Sequence, residues 1–421
     1  MTAPLACGPA LPAAEYAALR RRAIFECGKW DPQVEDTCVL ARFPILVSHG
    51  TWRELARLAE RLDAEARAAE RELCLRPELH AQLGLPRAIR RVLRVGGDRD
   101  TDTCPRYARF DFHPTPNGWR ISEANTDVPG GLIEASGIAA LMAAGGGPEP
   151  VGDPAEALLD ALLAAVPNPH HVALVHATAY TDDRQVADFV ARGLDRRGVN
   201  GHLVSPTNLR WTGGRAVVTC DWLARPVPAD VIFRFFPAEW LVNLPRSAAW
   251  TGFFRASTPQ CNPPTALLTQ TKRFPLVWDR LHASLPTWRA LLPETRDPRR
   301  IAWRHSQDWV LKHAMGRVGE DVALPGITSP ADLRRMSTSA RWHPGQWVVQ
   351  RRFDLVPVQT PDGLRYPCLG VFVVNGRCAG VYGRLSRTPL IDGRAQEAAV
   401  LAEHAYPFAE RSTDACTLAN R

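Results

Sequence analysis

The segment between residues 106 and 125 constrains the fold most strongly, because it has the pattern of a β-hairpin with charged residues on one face. Polar and aromatic residues alternate in its first half, which places Arg109, Asp111 and His113 together on one side of a strand. The residues Pro114–Gly118 have the composition of a turn, and the alternation resumes after them. The pattern therefore predicts two paired strands whose polar face carries a cluster of ionisable groups.

The expected register of this hairpin brings two carboxylates together. We expect a three-residue loop at Pro116–Gly118, with the glycine in the left-handed conformation. This register places Asp111 opposite Glu123 and Arg109 opposite Asn125, with facing Cβ atoms about 4.5–5.5 Å apart. Two facing carboxylates repel each other, so the hairpin needs a compensating cation.

A metal ion is one way to supply that cation. Asp111, Glu123 and Asn125 offer the hard oxygen ligands that Mg²⁺ prefers alongside phosphate oxygens. Arg109 would then stabilise the charge of a phosphoryl group nearby. Two alternatives stay open: a charged face that is simply exposed to solvent, and an internal ion pair between an arginine and a carboxylate.

Lysine is rare in this chain. Of the 51 cationic residues, three are lysines, namely Lys29, Lys272 and Lys312. Because arginine is used everywhere else, we interpret the lysines as positions that need a compact ammonium group. The alternative interpretation is that these three lysines remain by chance.

Two of these lysines lie in suggestive surroundings. Lys312 ends a predicted strand over residues 308–312 and precedes a loop at Gly316–Gly319, whose backbone N–H groups suit a bound phosphate. The spacing is not that of a Walker A motif. Lys272 is expected on a helix that begins at Pro263. An ordinary surface turn and a solvated helix residue are the alternative interpretations of these two places.

Hydrophobic periodicity predicts the remaining elements. Helices are expected over most of residues 13–95 and over 131–144, 150–166 and 182–197. Apolar strands are expected at 171–176, 201–204, 231–236, 346–353, 369–374 and 379–384, with an Asn375-Gly376 turn between the last two. The alternation of strand and helix between residues 171 and 236 predicts a small parallel sheet of Rossmann-like type. It lacks G-x-G-x-x-G, so we assign no dinucleotide to it.

Composition excludes several classes of protein. No apolar run is long enough for a transmembrane helix, and the N-terminal arginines follow the apolar stretch, so we expect a cytoplasmic protein without a membrane partner. The net charge of +7 is spread along the chain, which does not favour nucleic acid as a partner. The ten cysteines form no C-x-x-C pair, and buried free thiols are expected.

Taken together, these segments resemble the glutathionylspermidine synthase-like family of circularly permuted ATP-grasp ligases. The matching pieces run from Lys29-Trp30-Asp31-Pro32-Gln33 to about Ile391, with the acidic strands first and the lysines later. The resemblance implies an α+β or α/β chain with a permuted ATP-grasp fold and a Rossmann-like pre-ATP-grasp subdomain. It implies three parts: residues 1–148 with the helical region and the metal hairpin, 149–262 with the Rossmann-like subdomain, and 263–421 with the nucleotide-binding lobes.

The resemblance also assigns site residues in this sequence. It implies that Asp111, Glu123 and Asn125 hold Mg²⁺ and that Arg109 and Arg384 are catalytic, with Arg387 as a competing alignment for the second arginine. It implies ATP contacts from Lys272, Lys312, Gly316, Val318, Gly319, Gln350, Arg351, Arg352 and Phe353.

The reaction implied by the resemblance is an ATP-dependent ligation of a small-molecule or peptide carboxylate to an amine through an acyl phosphate. The run Thr126–Gly131 replaces the small hydroxyl residues that contact the peptide in the family's glutathione-type enzymes, which favours another substrate. A small-molecule kinase and a non-catalytic nucleotide-binding protein on the same scaffold are the alternatives. The acid, the amine and the oligomeric state stay open.

Overall fold

The structure is a computed structural model that describes residues 5–30, 32–34, 37–96, 103–145, 147–304, 306–317 and 319–403. Its α-helices are α1 Ala13–Phe25, α2 His49–Cys74, α3 Arg87–Gly96, α4 Ala139–Ala143, α5 Pro154–Leu163, α6 Thr181–Asp195, α7 Leu267–Gln270, α8 Pro286–Leu291 and α9 Pro330–Trp342. A π-helical turn, Glu134–Ile138, leads directly into α4.

The strands fall into three stretches of the chain. The first contains β1 Leu5–Cys7, β2 Gln33–Val34, β3 Thr37–Cys38, β4 Ile45–Val47, β5 Tyr107–Thr115 and β6 Gly118–Asn125. The second contains β7 His171–His176, β8 Asn200–Val204, β9 Leu209–Thr212, β10 Arg215–Val218, β11 Val227–Pro228, β12 Val231–Phe235 and β13 Gln260–Cys261. The third contains β14 Thr295–Arg296, β15 Trp309–His313, β16 Val322–Ala323, β17 Trp347–Arg351, β18 Val358–Thr360, β19 Gly363–Val374, β20 Arg377–Ser386 and β21 Gln396–Ala402.

The largest sheet has the order β1-β4-β21-β20-β19-β5-β6, with β18 paired to β19. All its pairs are antiparallel except β21 and β4, which are parallel. The hairpin strands β5 and β6 end one side of the sheet. Their aromatic face is fixed in the core, where Phe110 and Phe112 are fully buried and the ring of Trp288 meets Phe110 edge-on at 6.1 Å.

Helix α2 packs against this sheet. The Ser48 hydroxyl caps its first turn by accepting the Thr51 N–H at 3.2 Å. Leu55 and Leu62, spaced two helical turns apart, are fully buried, and each contributes about 1.5–3 kcal/mol of burial free energy. The helix therefore forms from its apolar stripe, as its spacing predicts.

The expectation of helix over most of residues 13–95 is correct for α1, α2 and α3 but wrong at Ile45–Val47. This short apolar run is β4, paired with β1 on one side and β21 on the other. Its strand partner β21 lies at the far end of the chain, so local periodicity does not reveal the pairing. The expected helix at 131–144 is confirmed, with an inserted π-helical turn.

A second sheet has the order β13-β12-β7-β8, and all its strands are parallel. Helix α6 connects β7 to β8. The strands expected at 171–176, 201–204 and 231–236 and the helix expected at 182–197 are confirmed within two residues at each end. The strands β7 and β12 are almost entirely buried, which fits apolar runs covered on both faces.

A third sheet, β14-β17-β15-β16, is antiparallel and has its own small core. Trp309, Leu311, Trp347 and Val349 pack there with residues of α9. The expected strand at 308–312 is confirmed, and the one expected at 346–353 ends earlier, at Arg351. The Asn375-Gly376 turn is confirmed between β19 and β20, with positive φ at both residues.

The described cysteines are all free thiols, as expected. Cys27, Cys261 and Cys368 are buried, whereas the others are partly exposed. Within the described ranges, no helix is long and apolar enough to cross a membrane.

Candidate active site

The predicted facing of two carboxylates is confirmed. Asp111 pairs with Glu123 and Arg109 with Asn125 across β5 and β6. The loop is shorter than expected, because Thr115 pairs with Gly118. A bulge next to Asp111 takes up the extra residue, Ser122 in β6, so the register at the carboxylates is the predicted one.

Each carboxylate already has its own cationic partner. Arg109 donates from Nε to Oδ1 of Asp111 at 2.7 Å and from a terminal nitrogen to Oδ2 at 2.8 Å. Lys272 Nζ lies 2.8 Å from Oε2 of Glu123. The internal ion pair considered as an alternative is therefore present, and the facing carboxylates are compensated by protein side chains alone.

These ion pairs set the charge state of the hairpin. Burial raises the pKa of Asp111, and the Arg109 charge opposes that shift. Burial also opposes ionisation of Glu123, but the nearby Lys272 and Lys312 ammonium groups prevail and lower its pKa to about 2. Glu123 is therefore a carboxylate at any physiological pH.

Lys272 lies just beyond the end of α7 and not within a helix, contrary to the expectation. The helix ends at Gln270, because the backbone turns to place the Lys272 N–H on the Ala314 carbonyl at 2.9 Å. Its Nζ donates to the Gly316 carbonyl at 2.6 Å. Lys272 thereby joins the glycine loop to the carboxylate hairpin.

Lys312 lies on β15, facing the same hairpin. Its Nζ donates to the side-chain oxygen of Gln350 at 2.7 Å and to the Ser122 carbonyl at 3.1 Å. Burial lowers its pKa to about 8, with a further contribution from the Lys272 charge. Lys29, the third lysine, lies elsewhere in a buried cluster, 2.6 Å from Glu134 and 3.1 Å from Glu397.

The hairpin carboxylates, Lys272 and Lys312 line one cleft, with a volume of about 230 Å³, between the largest sheet and the third sheet. The predicted residues in its wall are Asp111, Glu123, Lys272, Lys312, Gly319, Gln350, Arg351, Arg352, Phe353 and Arg384. Three other predicted residues lie outside the wall. Arg109 donates to the Asp111 carboxylate, and Asn125 Nδ2 is 3.4 Å from Asp111 Oδ2. The Gly316 carbonyl accepts from Lys272. Val318 lies outside the described residues.

The two candidates for the late arginine lie in different places. Arg384 is on β20 in the cleft wall, where its guanidinium donates to the Asp392 carbonyl. Arg387 is exposed and follows the end of β20 at Ser386.

The side chain of Arg351, in the cleft wall, is held by other groups of the protein. Its guanidinium lies 4.4 Å from the ring centre of Trp309 and 3.1 Å from the Glu294 carboxylate. The backbone N–H groups of Arg351 and Arg352 donate to the backbone carbonyls of Glu294 and Asp308, respectively, both at 2.7 Å. These two N–H groups are therefore engaged within the protein.

Sequence reasoning missed much of the cleft wall. The missed polar residues are His113, Ser122, Asp354, Tyr366 and Cys368, and the missed apolar ones are Val310, Val322, Leu324, Leu355, Pro389, Leu390 and Ile391. Alternation already placed His113 on the polar face, which was a usable signal. The apolar residues give no such signal, because core and cleft positions have the same composition.

His113 is held as a neutral imidazole. Burial lowers its pKa to about 4, assisted by the Lys312 charge. Its Nε2 is 2.9 Å from the Ser122 hydroxyl and its Nδ1 is 3.2 Å from the Pro367 carbonyl. The carbonyl accepts from Nδ1, so Nε2 accepts from the hydroxyl, and this bond secures the bulged residue of the hairpin.

The run after Asn125 is fastened inside the protein. Asp127 forms a fully buried ion pair with Arg234 on β12 and accepts the Ala238 N–H at 2.9 Å. The Thr126 N–H donates to the side-chain oxygen of Gln270 at 2.7 Å. This run therefore anchors the end of the hairpin to the parallel sheet.

The donor chemistry of the hairpin fits a hard cation. Asp111 and Glu123 are oxygen donors in the cleft wall, and Asn125 adds an amide beside them. Among the residues that the structure describes, no group of three or more His, Cys, Asp or Glu side chains could hold a metal. A cation here would therefore depend on two carboxylates, the amide and ligands from a bound molecule.

The fold and the cleft define a mixed α/β protein with a charged site between the largest sheet and the third sheet. The family model described as glutathionylspermidine synthase pre-ATP-grasp matches residues 45–400, which is most of the 421-residue chain. The chain belongs to this family.

A solved structure from Methylobacillus flagellatus KT, provisionally assigned as a gamma-glutamylcysteine synthetase, is 11% identical with a TM-score of 0.43. The similarity covers 77% of this chain and 87% of that one. No curated protein sequence matches the chain.

Proposed function

We propose that this protein is an ATP- and Mg²⁺-dependent carboxylate–amine ligase. The observation that carries the proposal is the arrangement of Asp111 and Glu123 opposite Lys272 and Lys312 in one cleft. Phosphoryl transfer depends mainly on positioning and on neutralising charge, and this arrangement supplies both signs of charge at fixed positions. Membership of the glutathionylspermidine synthase pre-ATP-grasp family supports the same reaction class.

We assign the triphosphate of ATP to the end of the cleft that carries the lysines. The ammonium groups of Lys272 and Lys312 would contact phosphate oxygens, and the backbone at Gly316 and Gly319 would approach them closely. The base would lie among apolar residues of the third sheet, such as Val310 and Val322. The segment Gln350–Phe353 would contribute backbone to this part of the cleft.

Asp111, Glu123 and Asn125 are the residues that would hold Mg²⁺. The bound ion would supply neutralisation of the phosphate charge. Arg109 has three nitrogens occupied by Asp111 and the Gly130 carbonyl, so we assign it to positioning of Asp111. Arg384 in the cleft wall is then the arginine assigned to the transferred phosphoryl group.

The proposed reaction has two steps. A substrate carboxylate attacks the γ-phosphorus of ATP, releasing ADP and forming an acyl phosphate. The amine attacks the acyl carbon, phosphate leaves, and the nitrogen loses a proton as the amide forms. The first step is needed because an unactivated carboxylate has no good leaving group.

We further propose the three-part division at residues 148 and 262, with the parallel sheet as a Rossmann-like subdomain of a circularly permuted ATP-grasp fold. The order of the elements supports it, since the carboxylate hairpin precedes both cleft lysines. A cytoplasmic location is proposed on the free state of the described thiols.

The test is a turnover assay with MgATP and pooled carboxylic acids and amines. ADP release that requires both an acid and an amine supports the ligase. Release with the acid alone, leaving a stable phosphorylated product, identifies a kinase instead. The Asp111→Ala variant should be inactive, whereas Asp279→Ala, which removes an exposed carboxylate, should behave as wild type. Absence of turnover with every pool would contradict both the ligase and the kinase hypotheses.

A further inference from the structure

Lys29 is the one lysine that the proposed reaction does not use, and it lies in a buried cluster with two carboxylates. Its Nζ is 2.6 Å from Oε1 of Glu134 and 3.1 Å from Oε2 of Glu397. These three residues, here called the lysine triad, have side chains that are at most 20% exposed. A compact ammonium group lies between two carboxylates without the planar fork that a guanidinium presents, which accounts for lysine at this position.

Glu397 is a direct neighbour of Arg384, the arginine assigned to the transferred phosphoryl group. The two residues face each other in the antiparallel pairing of β20 and β21, so their side chains share one face of the sheet with Cβ atoms about 4.5–5.5 Å apart. The Glu397 N–H donates to the Val39 carbonyl at 2.6 Å, and its own carbonyl accepts the Ala41 N–H at 2.8 Å. Glu397 is therefore fixed within reach of the Arg384 side chain.

Facing residues of opposite charge attract each other in a sheet, yet Arg384 and Glu397 are directed to other partners. The Arg384 guanidinium donates to the Asp392 carbonyl. The Glu397 carboxylate is directed to Lys29 instead, with Oε1 at 3.5 Å and Oε2 at 3.1 Å from the ammonium nitrogen. A pair between Arg384 and Glu397 would neutralise the guanidinium, so the contact with Lys29 leaves the charge of Arg384 uncompensated by its facing residue.

Stability alone does not explain the lysine triad. Removing charges from water has a desolvation cost, and replacing a buried ion pair by apolar side chains is often neutral or stabilising. Two carboxylates also share one ammonium group, so burial and the Glu134 charge raise the pKa of Glu397 to about 7. The lysine triad is therefore expected to serve the neighbouring cleft rather than the stability of the fold.

We propose that Lys29 is a positioning residue of the ligase, which holds the Glu397 carboxylate away from Arg384 and so keeps the Arg384 guanidinium available to a phosphoryl group. This inference rests on the proposed ligase function for the role of Arg384. Without Lys29, a proton neutralises Glu134, and the ionised Glu397 turns to Arg384. The contact between Glu397 and Arg384 can be measured without turnover.

A double-mutant cycle measures that contact. Arg384→Gln and Glu397→Gln, alone and together, are made with Lys29 present and in Lys29→Met, and urea unfolding is followed at pH 8, above the Glu397 pKa of about 7. With Lys29 present, the two changes should be additive within about twofold in the unfolding equilibrium constant. In Lys29→Met they should be coupled by about tenfold or more, because the two facing charges then pair. Lys29→Met/Glu134→Gln, which leaves a single carboxylate, replaces Lys29→Met if that variant does not fold.

The second measurement is kcat for ADP release with the acid and amine pools, on variants that circular dichroism shows to be folded. Lys29→Met should lower kcat about tenfold or more, and adding Glu397→Gln should restore it to within about twofold of Glu397→Gln alone. The matched control is Arg76→Met, which should leave kcat unchanged, since Arg76 also joins two carboxylates, those of Glu72 and Glu78, both at 3.0 Å.

Equal coupling of Arg384 and Glu397 in the two backgrounds would overturn the proposal. An unchanged kcat in Lys29→Met, or a loss that Glu397→Gln does not restore, would also overturn it, because a merely structural lysine would give the second result. If the wild type releases no ADP with any pool, the ligase function is contradicted, and the double-mutant cycle still decides whether Lys29 holds Glu397 away from Arg384.

Discussion

Replacing Lys272 by methionine should destabilise the protein mainly through Glu123. The pKa of Glu123 falls from 4.5 to about 2 in the folded protein, largely because Lys272 opposes the effect of burial. A shift of this size corresponds to roughly 3 kcal/mol, at about 1.4 kcal/mol per unit. Since Lys272 is 10% exposed and Glu123 21% exposed at the side chain, solvent screens the pair only weakly.

The pH dependence distinguishes this cause from a loss of packing. A lowered carboxylate pKa stabilises the fold fully above the unfolded pKa of 4.5, and the contribution disappears as the pH falls towards 2. The destabilisation by Lys272→Met should therefore be about 3 kcal/mol at pH 7 and roughly half of that at pH 3. The double variant with Glu123→Gln should recover much of the loss at pH 7, because no buried charge is left unpaired.

Urea unfolding followed by circular dichroism at pH 7 and pH 3 measures these differences. Arg289→Met is the matched control, because its pair with Asp279 is exposed, and it should cost no more than about 1 kcal/mol. A loss below 1 kcal/mol for Lys272→Met at pH 7, or the same loss at both pH values, would refute the reasoning.

Three further outcomes are expected at the same cleft. Lys312→Arg should weaken binding of a non-hydrolysable ATP analogue at least tenfold by calorimetry, because a planar guanidinium does not fit between Gln350 and Ser122, and near-normal affinity would contradict this. In the wild type the same affinity should decline as the pH rises through about 8, where Lys312 loses its proton, and a flat profile to pH 9.5 would count against a charged lysine at the phosphates. Asp111→Asn should reduce ADP release at least a hundredfold under conditions in which circular dichroism shows the variant folded, because it also lowers the unfolding midpoint by leaving the buried Arg109 charge unpaired, and undiminished release would remove Asp111 from the proposed machinery.

The hairpin shows which features of the site a local sequence pattern predicts and which it does not. Alternation fixes which residues share a face, so the facing of Asp111 and Glu123 follows from the sequence alone. The expected three-residue loop was wrong, but the bulge at Ser122 adds the residue that the shorter loop lacks. The register was therefore correct at the carboxylates and not between them and the turn.

Other parts of the site depend on tertiary contacts that no local pattern contains. The rarity of lysine pointed to Lys272 and Lys312 in the cleft, but it gave no hint that Lys29 joins a separate buried cluster. The contact of Arg317 with Glu239 links positions 78 residues apart. Such pairs follow from the way the sheets pack, and sequence reasoning had no access to that packing.

Strand β21 has a consequence for the synthesis of this protein. It is the only link between β4 and β20 in the sheet order of the described chain, so without it the largest sheet separates into β1-β4 and the strands that bear the cleft. Ala402 is translated 355 residues after its partner Val47 (402 − 47), which takes about 20–70 s at usual elongation rates. Throughout that interval the edge of β4 that β21 will cover stays unpaired, and an unpaired strand edge is a template for aggregation. A ribosome that stops before Gln396 would release a chain with every cleft lysine and carboxylate but no continuous sheet to hold them, so chaperone demand should be greatest for this class of truncated product.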